Sequence, residues 1–347
     1  MIRRYSKPLG NLFDFKADFF KLNSEKLNES KQIAVLYGNQ PAREKCKNCD
    51  SYLSEEKHFT KLGIKYIFCD ICGHLNGSNK DTREFCELLY TQDSGEEYAK
   101  NYTEKDIESF NNRLQEIYLP KAEFLKDSIV KNDKRSIDKL SICDFGAGAG
   151  YFVGAAQKCG FSKIIGYDIS KTLVEYGNHC LSGQYLQSHS IQESVDILSN
   201  INADVISLIG VLEHLTNPRE ILDAIKNNNR IKYLFLSVPL FSPTVIFESV
   251  FEEKVMPRHL VAGHTHLYTE ESIQYFCKEF GFAKISEWWF GLDVADLYRS
   301  IYVLLDSSGK STLKDYFRTK FPPLIDELQH IFDKHHLCSI VHMLLKA

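Results

Sequence analysis

The stretch Asp144-Phe-Gly-Ala-Gly-Ala-Gly150 decides how this chain is read. The apolar run Leu140-Ser141-Ile142-Cys143 stands directly before it and reads as a buried strand. Glycines right after such a strand let the backbone turn tightly and let a ligand approach without a Cβ in the way. A dinucleotide fingerprint would be G-x-G-x-x-G. Here Gly146, Gly148 and Gly150 give G-x-G-x-G, and Tyr151 occupies the place of that fingerprint's third glycine. Asp168 closes the next strand candidate, 18 residues after Gly150, where a carboxylate can accept both hydroxyls of a ribose.

Outward from this loop the texture is one of alternation. Strand candidates are Leu140–Phe145, Lys163–Tyr167, Gln184–Gln187, Asp204–Ile209 and Lys232–Val238. Helical patterns fall between them at Tyr151–Cys159, Lys171–Cys180, Ile191–Leu198 and Pro218–Asn227. This alternation predicts an α/β fold: a Rossmann-like parallel sheet with helices on both faces. Ligands of such sheets bind beyond the carboxyl ends of the strands. Further on, Thr269 reads as the N-cap of a helix through Phe280, Gly281 as its stop, and Ala283–Phe290 as a strand. Ile107–Ile129 has helical periodicity, a helix is expected near Phe13–Leu27, and the amphipathic tail Leu324–Leu345 is expected to pack as helix.

Four of the ten cysteines are grouped: Cys46-Lys-Asn-Cys49 and Cys69-Asp-Ile-Cys72, with 19 residues between the pairs. That spacing fits a zinc ribbon, each pair presenting two thiolates from a tight turn. Gly73 follows the second pair, where the knuckle calls for positive φ. Four sulfurs complete a tetrahedron and leave no open position, so the expected Zn²⁺ is structural. Cys86, Cys143, Cys159, Cys180, Cys277 and Cys338 have no ligand spacing and read as small core residues.

The 347 residues are 44% hydrophobic and 25% charged, as in ordinary globular proteins. A net charge of −4 supplies no overall field for nucleic acid. No run of about 18 apolar residues appears, and MIRRYSKPLGNLFDF lacks a continuous apolar core. A cytoplasmic protein with no membrane partner is expected. The organisation reads as an N-terminal extension (1–40), the ribbon (41–77), a helical linker and cap (78–135), the alternating domain (136–305) and a C-terminal helical tail (306–347).

With these motifs in order, the sequence resembles the class I S-adenosylmethionine (SAM) methyltransferases. Asp144, Gly146, Gly148 and Gly150 match their first motif, Asp168 the acid ending their second strand, and DVISLIGVLEHL, residues 204–215, their fourth-strand motif. The resemblance implies a glycine loop beside the methionine moiety of SAM and ribose held by Asp168. It adds Ile169, Gly210, Ile191 and Gln192 as cofactor contacts, with Tyr98 and Tyr102 capping from the preceding segment. A ribbon ahead of a SAM domain, with RHLVAGHTHLYTEESI and EWWFGLDVADLYRS, resembles methyltransferases of bacterial surface-polysaccharide and deoxysugar clusters. Sugar C-methyltransferases usually carry a Glu-His pair after the fifth strand; Gly263-His264-Thr265-His266 stands here instead, which shifts the expectation towards oxygen. The acceptor so implied is a small hydroxylated molecule, a sugar or sugar nucleotide, with C- or N-methylation as the alternative. A second alternative is a non-catalytic interaction protein, its ribbon recruiting partners.

A sugar hydroxyl needs its proton removed before it attacks, and histidine is the natural base near neutral pH. The candidates are His264, His266 and His214, with His259 in the same segment. On extended backbone His264 and His266 would face the same way, as a base with a helper or as two metal ligands, although no acidic cluster accompanies them. Tyr118, Phe241, Tyr268, Trp288 and Trp289 are expected to bracket the site, and Arg113, Lys121, Arg258 and Arg299 could meet a phosphate.

Overall fold

The computed structural model describes residues 1–8, 18–90, 107–260 and 264–347. Strand β1 (Ile2–Tyr5) is followed by a helix at Asn23–Gly38 and then by β2 (His58–Lys61), β3 (Ile64–Phe68) and β4 (Leu75–Gly77). Helices Arg83–Tyr90, Ile107–Arg113 and Leu119–Asn132 lead to β5 (Ser141–Phe145), β6 (Lys163–Asp168), β7 (Leu186–Ser188), β8 (Val205–Ile209) and β9 (Tyr233–Pro239). The last strands are the short β10 (His266–Leu267), β11 (Ala283–Phe290) and β12 (Ile340–Lys346).

The large sheet has the order β1-β11-β12-β9-β8-β5-β6-β7. Strand β12 runs antiparallel to both neighbours and every other pair is parallel. Counted from β5, a dinucleotide-binding sheet would read 3-2-1-4-5-6. Here the chain's final strand is inserted antiparallel between the fifth and sixth. Strand β9 is buried at every residue, Tyr233 to Pro239, which is why it is apolar at every position but Ser237. From β5 the chain passes first to β6 on one side and later to β8 on the other. The ligand crevice of this fold therefore opens at the carboxyl ends of β5 and β8.

The expected alternating elements lie within a few residues of those observed, and Lys171–Cys180, Pro218–Asn227 and Ala283–Phe290 coincide. Thr269 caps its helix by accepting from the Ser272 N–H at 3.1 Å, and Gly281 ends it at φ 70°. The tail is a correction. Helix Ile325–Lys334 stops, His336 turns at φ 57°, and Ile340–Lys346 becomes a central strand. An apolar run buried on all sides does not distinguish strand from helix by periodicity. Here the exposed edges of β9 and β11 supplied the hydrogen bonds that decided it. The helix expected at Phe13–Leu27 also moves: its start falls partly outside the described residues, and it runs on to Gly38. Strand β1 was not expected; Arg3 pairs with the buried Glu287, and Arg4 lies 4.0 Å above the Trp288 ring.

The ribbon is built into the rest of the molecule. Its sheet has the order β10-β4-β3-β2, so the segment after β9 supplies the fourth strand, with His266 opposite Asn76. Asn48 of the first knuckle donates to the Ser272 carbonyl at 3.0 Å. Lys61 on β2 pairs with Glu248 on helix Pro243–Val250 at 2.6 Å, both 1% exposed, and also donates to the Leu260 carbonyl at 2.7 Å. Burial pushes the Glu248 carboxyl up, but the Lys61 ammonium, His259 and accepted hydrogen bonds more than offset this and hold it at about 2. With the folded value below the ordinary 4.5, this stabilisation is present above pH 4.5 and is lost as pH falls towards 2. Glu248→Gln is expected to lower stability by roughly 3 kcal/mol at pH 7, because Lys61 is left buried without its counter-charge. An unchanged urea midpoint would contradict this.

Candidate active site

The glycine loop closes on the sheet through its neighbours. The N–H groups of Gly146 and Ala147 both donate to the Tyr167 carbonyl, at 2.8 and 2.9 Å, tying the loop to the end of β6. Gly146 has φ 78°, and a Cβ there would lie 2.4 Å from Val211 Cγ2 on the loop after β8. Gly148 has φ 54° and nothing within 4 Å of such a Cβ, so its face is open to the crevice. Its N–H donates to Asp168 Oδ2 at 2.6 Å, while the Ser170 N–H donates to Oδ1 at 2.8 Å. Burial raises the Asp168 pKa despite these bonds. Asp144 accepts from Ser207 Oγ at 2.6 Å, and burial pushes it up to about 7. A carboxylate with unused lone pairs beside an open glycine face fits the ribose and methionine ends of SAM.

Around this pair, Ile169 is half-buried and Gly210 is exposed at the end of β8 with φ 67°. Gln192, with its amide oxygen turned towards helix Arg83–Tyr90, accepts from both terminal Arg83 nitrogens at 2.7 Å, so that helix reaches the β7 side of the crevice. Tyr98 and Tyr102 lie outside the described residues. Sequence reasoning passed over His189. Its ring lies 5.0 Å from Phe145, its backbone N–H donates to the Asp168 carbonyl at 3.1 Å, and its buried ring Nδ1 has no partner among the described residues.

A second group forms past β8. Glu213, His214 and His264 bring one carboxylate oxygen and two imidazole nitrogens within 4.8 Å of one another. The two rings stand 5.1 Å apart, and His214 Nε2 is 4.0 Å from Glu213 Oε1. That oxygen lies 3.7 Å from where a Gly210 Cβ would be, so the group borders the SAM crevice. Burial pushes Glu213 up to about 8, against the pull of Lys121 and Lys47. His264 Nδ1 is 2.8 Å from the His259 carbonyl, and burial followed by His259 lowers its pKa to about 4. Its imidazole is thus neutral at pH 7, with Nδ1 donating and Nε2 carrying the lone pair. The acid missing from the sequence reading of the histidine segment comes from Glu213, 51 residues before His264. His266 does not join this group. It is fully buried in the ribbon sheet, with Nδ1 2.8 Å from His74 Nε2 and its ring 5.8 Å from Tyr268. Extended backbone begins only at His266, so the same-side geometry expected for residues 264 and 266 is not present.

A family model described as "Methyltransferase domain" matches residues 113–287, about half of the chain. The chain belongs to the methyltransferase-domain family. Its sheet is the class I, SAM-dependent type, and the protein is a SAM-dependent methyltransferase. Among solved structures it is similar to magnesium protoporphyrin IX methyltransferase from Synechocystis PCC 6803 with bound SAH, at 10% identity over 76% of this chain and 99% of that one, with a TM-score of 0.47. It is also similar to a SAM-dependent methyltransferase from Archaeoglobus fulgidus, at 14% identity over 65% and 94%, TM-score 0.39. A putative Haloferax volcanii methyltransferase, in complex with its Trm112 activator, matches at 10% identity over 74% and 96%, TM-score 0.43. No curated protein matches the sequence.

The methyltransferase's four grouped cysteines are all buried, with Cys46 Sγ 3.6 Å from Cys72 Sγ and Cys49 Sγ 3.5 Å from Cys69 Sγ. Four sulfurs about 2.3 Å from one zinc stand about 3.8 Å apart, so the cluster is compatible with that ion. Gly73 has the expected positive φ, 72°. Several other expectations of site residues are corrected by burial. Trp288 and Trp289 are 0% exposed in the core of the large sheet, and Phe241 packs on Phe59 and Phe68 of the ribbon. Arg258 is committed to Asp296 at 2.5 Å, and Arg299 to the Met256 carbonyl at 2.9 Å. Lys121 does stay near the crevice: burial and then Lys7 and Arg113 lower it to about 7, while Asp144 and Glu213 act the other way. Tyr118 stacks on Tyr151 at 5.2 Å, seating the cap helices over the helix that follows the glycine loop. Among the described residues no helix is long and apolar enough to cross a membrane.

Proposed function

We propose that this methyltransferase methylates a hydroxyl oxygen of a small acceptor, a sugar or nucleotide-linked sugar, and that its ribbon holds a structural zinc. SAM, when bound, supplies an already activated methyl group. What remains for the protein is to orient the acceptor and to help its hydroxyl lose a proton. The observation that carries the reading is the Glu213–His214–His264 group past the carboxyl end of β8, with Glu213 Oε1 3.7 Å from where a Gly210 Cβ would be. Asp168 and the N–H groups of the glycine loop would hold the nucleoside. His214 and His264 would face the acceptor, while His266 with His74 would keep the ribbon wall in place. The sugar acceptor is supported by the blocks RHLVAGHTHLYTEESI and EWWFGLDVADLYRS alone. A ribbon sharing a sheet with β10 favours a wall of the active site over an independent recruiting module.

The test is a screen of nucleotide sugars with methyl-labelled SAM, read by mass and then by the position of the label. An O-methyl product supports the proposal; label on carbon or nitrogen moves it to the alternative chemistry. His214→Ala and His264→Ala are each expected to lower turnover by about 100-fold with SAM affinity nearly unchanged. Full turnover in both variants would remove this group from the reaction.

A further inference from the structure

We infer that Glu213, His214 and His264 form a second metal site, for a divalent first-row cation, distinct from the four cysteines and open to the acceptor. The inference rests on the methyl-transfer reading for its chemistry but not for its geometry. Three ligand atoms of this kind, two imidazole nitrogens and one carboxylate oxygen, lie within 4.8 Å of one another. Ligands held 2.0–2.1 Å from one ion stand about 3–3.5 Å apart, so modest side-chain rotations close the group around it. Two histidines and a carboxylate are a usual set for Zn²⁺, Mn²⁺ or Fe²⁺, and three protein ligands leave positions for substrate.

Two further observations point to a ligand here. The first is the hydrogen bond from His264 to the His259 carbonyl at 2.8 Å. It fixes the proton on Nδ1 and leaves the Nε2 lone pair for a ligand, which is how metal-binding imidazoles are commonly oriented from behind. His259 is itself held, its Nε2 2.6 Å from the Leu240 carbonyl and its N–H 2.6 Å from Glu248 Oε1. The second is Glu213. It is only 4% exposed, yet its Oε2 has no hydrogen-bond partner among the described residues, and its Oε1 stands 4.0 Å from His214, beyond hydrogen-bond reach. A buried carboxylate oxygen without a partner calls for an ion or water to account for it.

At this place a cation would bind the acceptor's hydroxyl oxygen and weaken its O–H bond. The proton would pass to solvent. The oxygen would form its bond to the methyl carbon as the carbon–sulfur bond breaks, and sulfur would keep that electron pair. An acceptor with two adjacent oxygens, such as a vicinal diol, suits such an ion because it can fill two open positions at once.

The test uses the full-length, zinc-loaded protein and Mn²⁺, a hard ion that thiolates do not compete for. Mn²⁺ binding is followed by electron paramagnetic resonance of the free ion, and SAM binding by calorimetry on the same samples. The expected result is one Mn²⁺ per chain, with affinity lowered at least 10-fold in both Glu213→Gln and His264→Ala, and SAM affinity within about 3-fold of the parent. Glu213→Gln keeps shape and burial, so it serves if His264→Ala folds poorly. No Mn²⁺ bound by the parent at millimolar concentration, or equal binding by both variants, overturns the site. If SAM binds while Mn²⁺ does not, the metal inference alone has failed; if SAM does not bind, the methyl-transfer reading has failed.

Discussion

Cys69→Ser is expected to lower the melting temperature by about 5 °C and to remove methyl transfer with it. A structural zinc contributes directly to folding, and a three-thiolate remnant holds it far more weakly. The loss does not unfold the ribbon outright. Tyr37, Ile64, Tyr66, Leu75 and Val245 form an apolar cluster of their own beneath its sheet, separate from the cysteines. A loss of roughly 4 kcal/mol in a chain of this size gives the stated shift. The effect on activity travels by a short route. Asn76 donates to Cys46 Sγ at 3.5 Å and accepts the Lys47 N–H at 2.9 Å, so the knuckle fixes β4. Strand β4 pairs with β10, and the Gly77 N–H donates to the Thr265 carbonyl at 2.8 Å, one residue from His264. Calorimetry with a zinc assay checks both halves. A variant that kept its melting temperature and one zinc per chain would sink the assignment, and one that lost zinc yet kept turnover would sink the route.

The parts legible in the sequence are those whose chemistry is local. The glycine loop, the acid at the end of β6 and the paired cysteines each occupy a handful of consecutive residues, and their backbone requirements are written into the glycines. The group past β8 was only half legible. Glu213 and His214 stand together in the fourth-strand motif, but His264 reaches them only because β10 is recruited into the ribbon sheet. The same recruitment buries His266 against His74 within the ribbon sheet. No local pattern records a pairing between residues this far apart. For the same reason the sequence of β12 reads as helix. Its neighbours β9 and β11 are distant in sequence, and the run Ile340–Leu345 offers no polar face to reveal its period.

Asp168→Ala is expected to weaken SAM binding by 100-fold or more, the largest effect of any single side chain at the nucleoside end. The carboxylate has two duties. It accepts the Gly148 N–H at 2.6 Å and the Ser170 N–H at 2.8 Å, which sets the loop and the start of the next helix. Its remaining lone pairs would accept the ribose hydroxyls. A hydrogen bond to a charged group contributes about 1.5–3 kcal/mol, so losing two such bonds together exceeds the 2.7 kcal/mol that corresponds to about 100-fold. Asn at this position keeps the volume but turns an N–H₂ group towards one of two backbone N–H donors, so Asp168→Asn should recover little of the loss. Asp144 makes a useful contrast: its hydrogen bond runs to Ser207 Oγ inside the sheet, so Asp144→Asn should cost SAM affinity less than the change at residue 168. Calorimetric titration of SAM into the three variants ranks them. Parent-like affinity in Asp168→Ala would show that the carboxylate ending β6 does not hold the nucleoside.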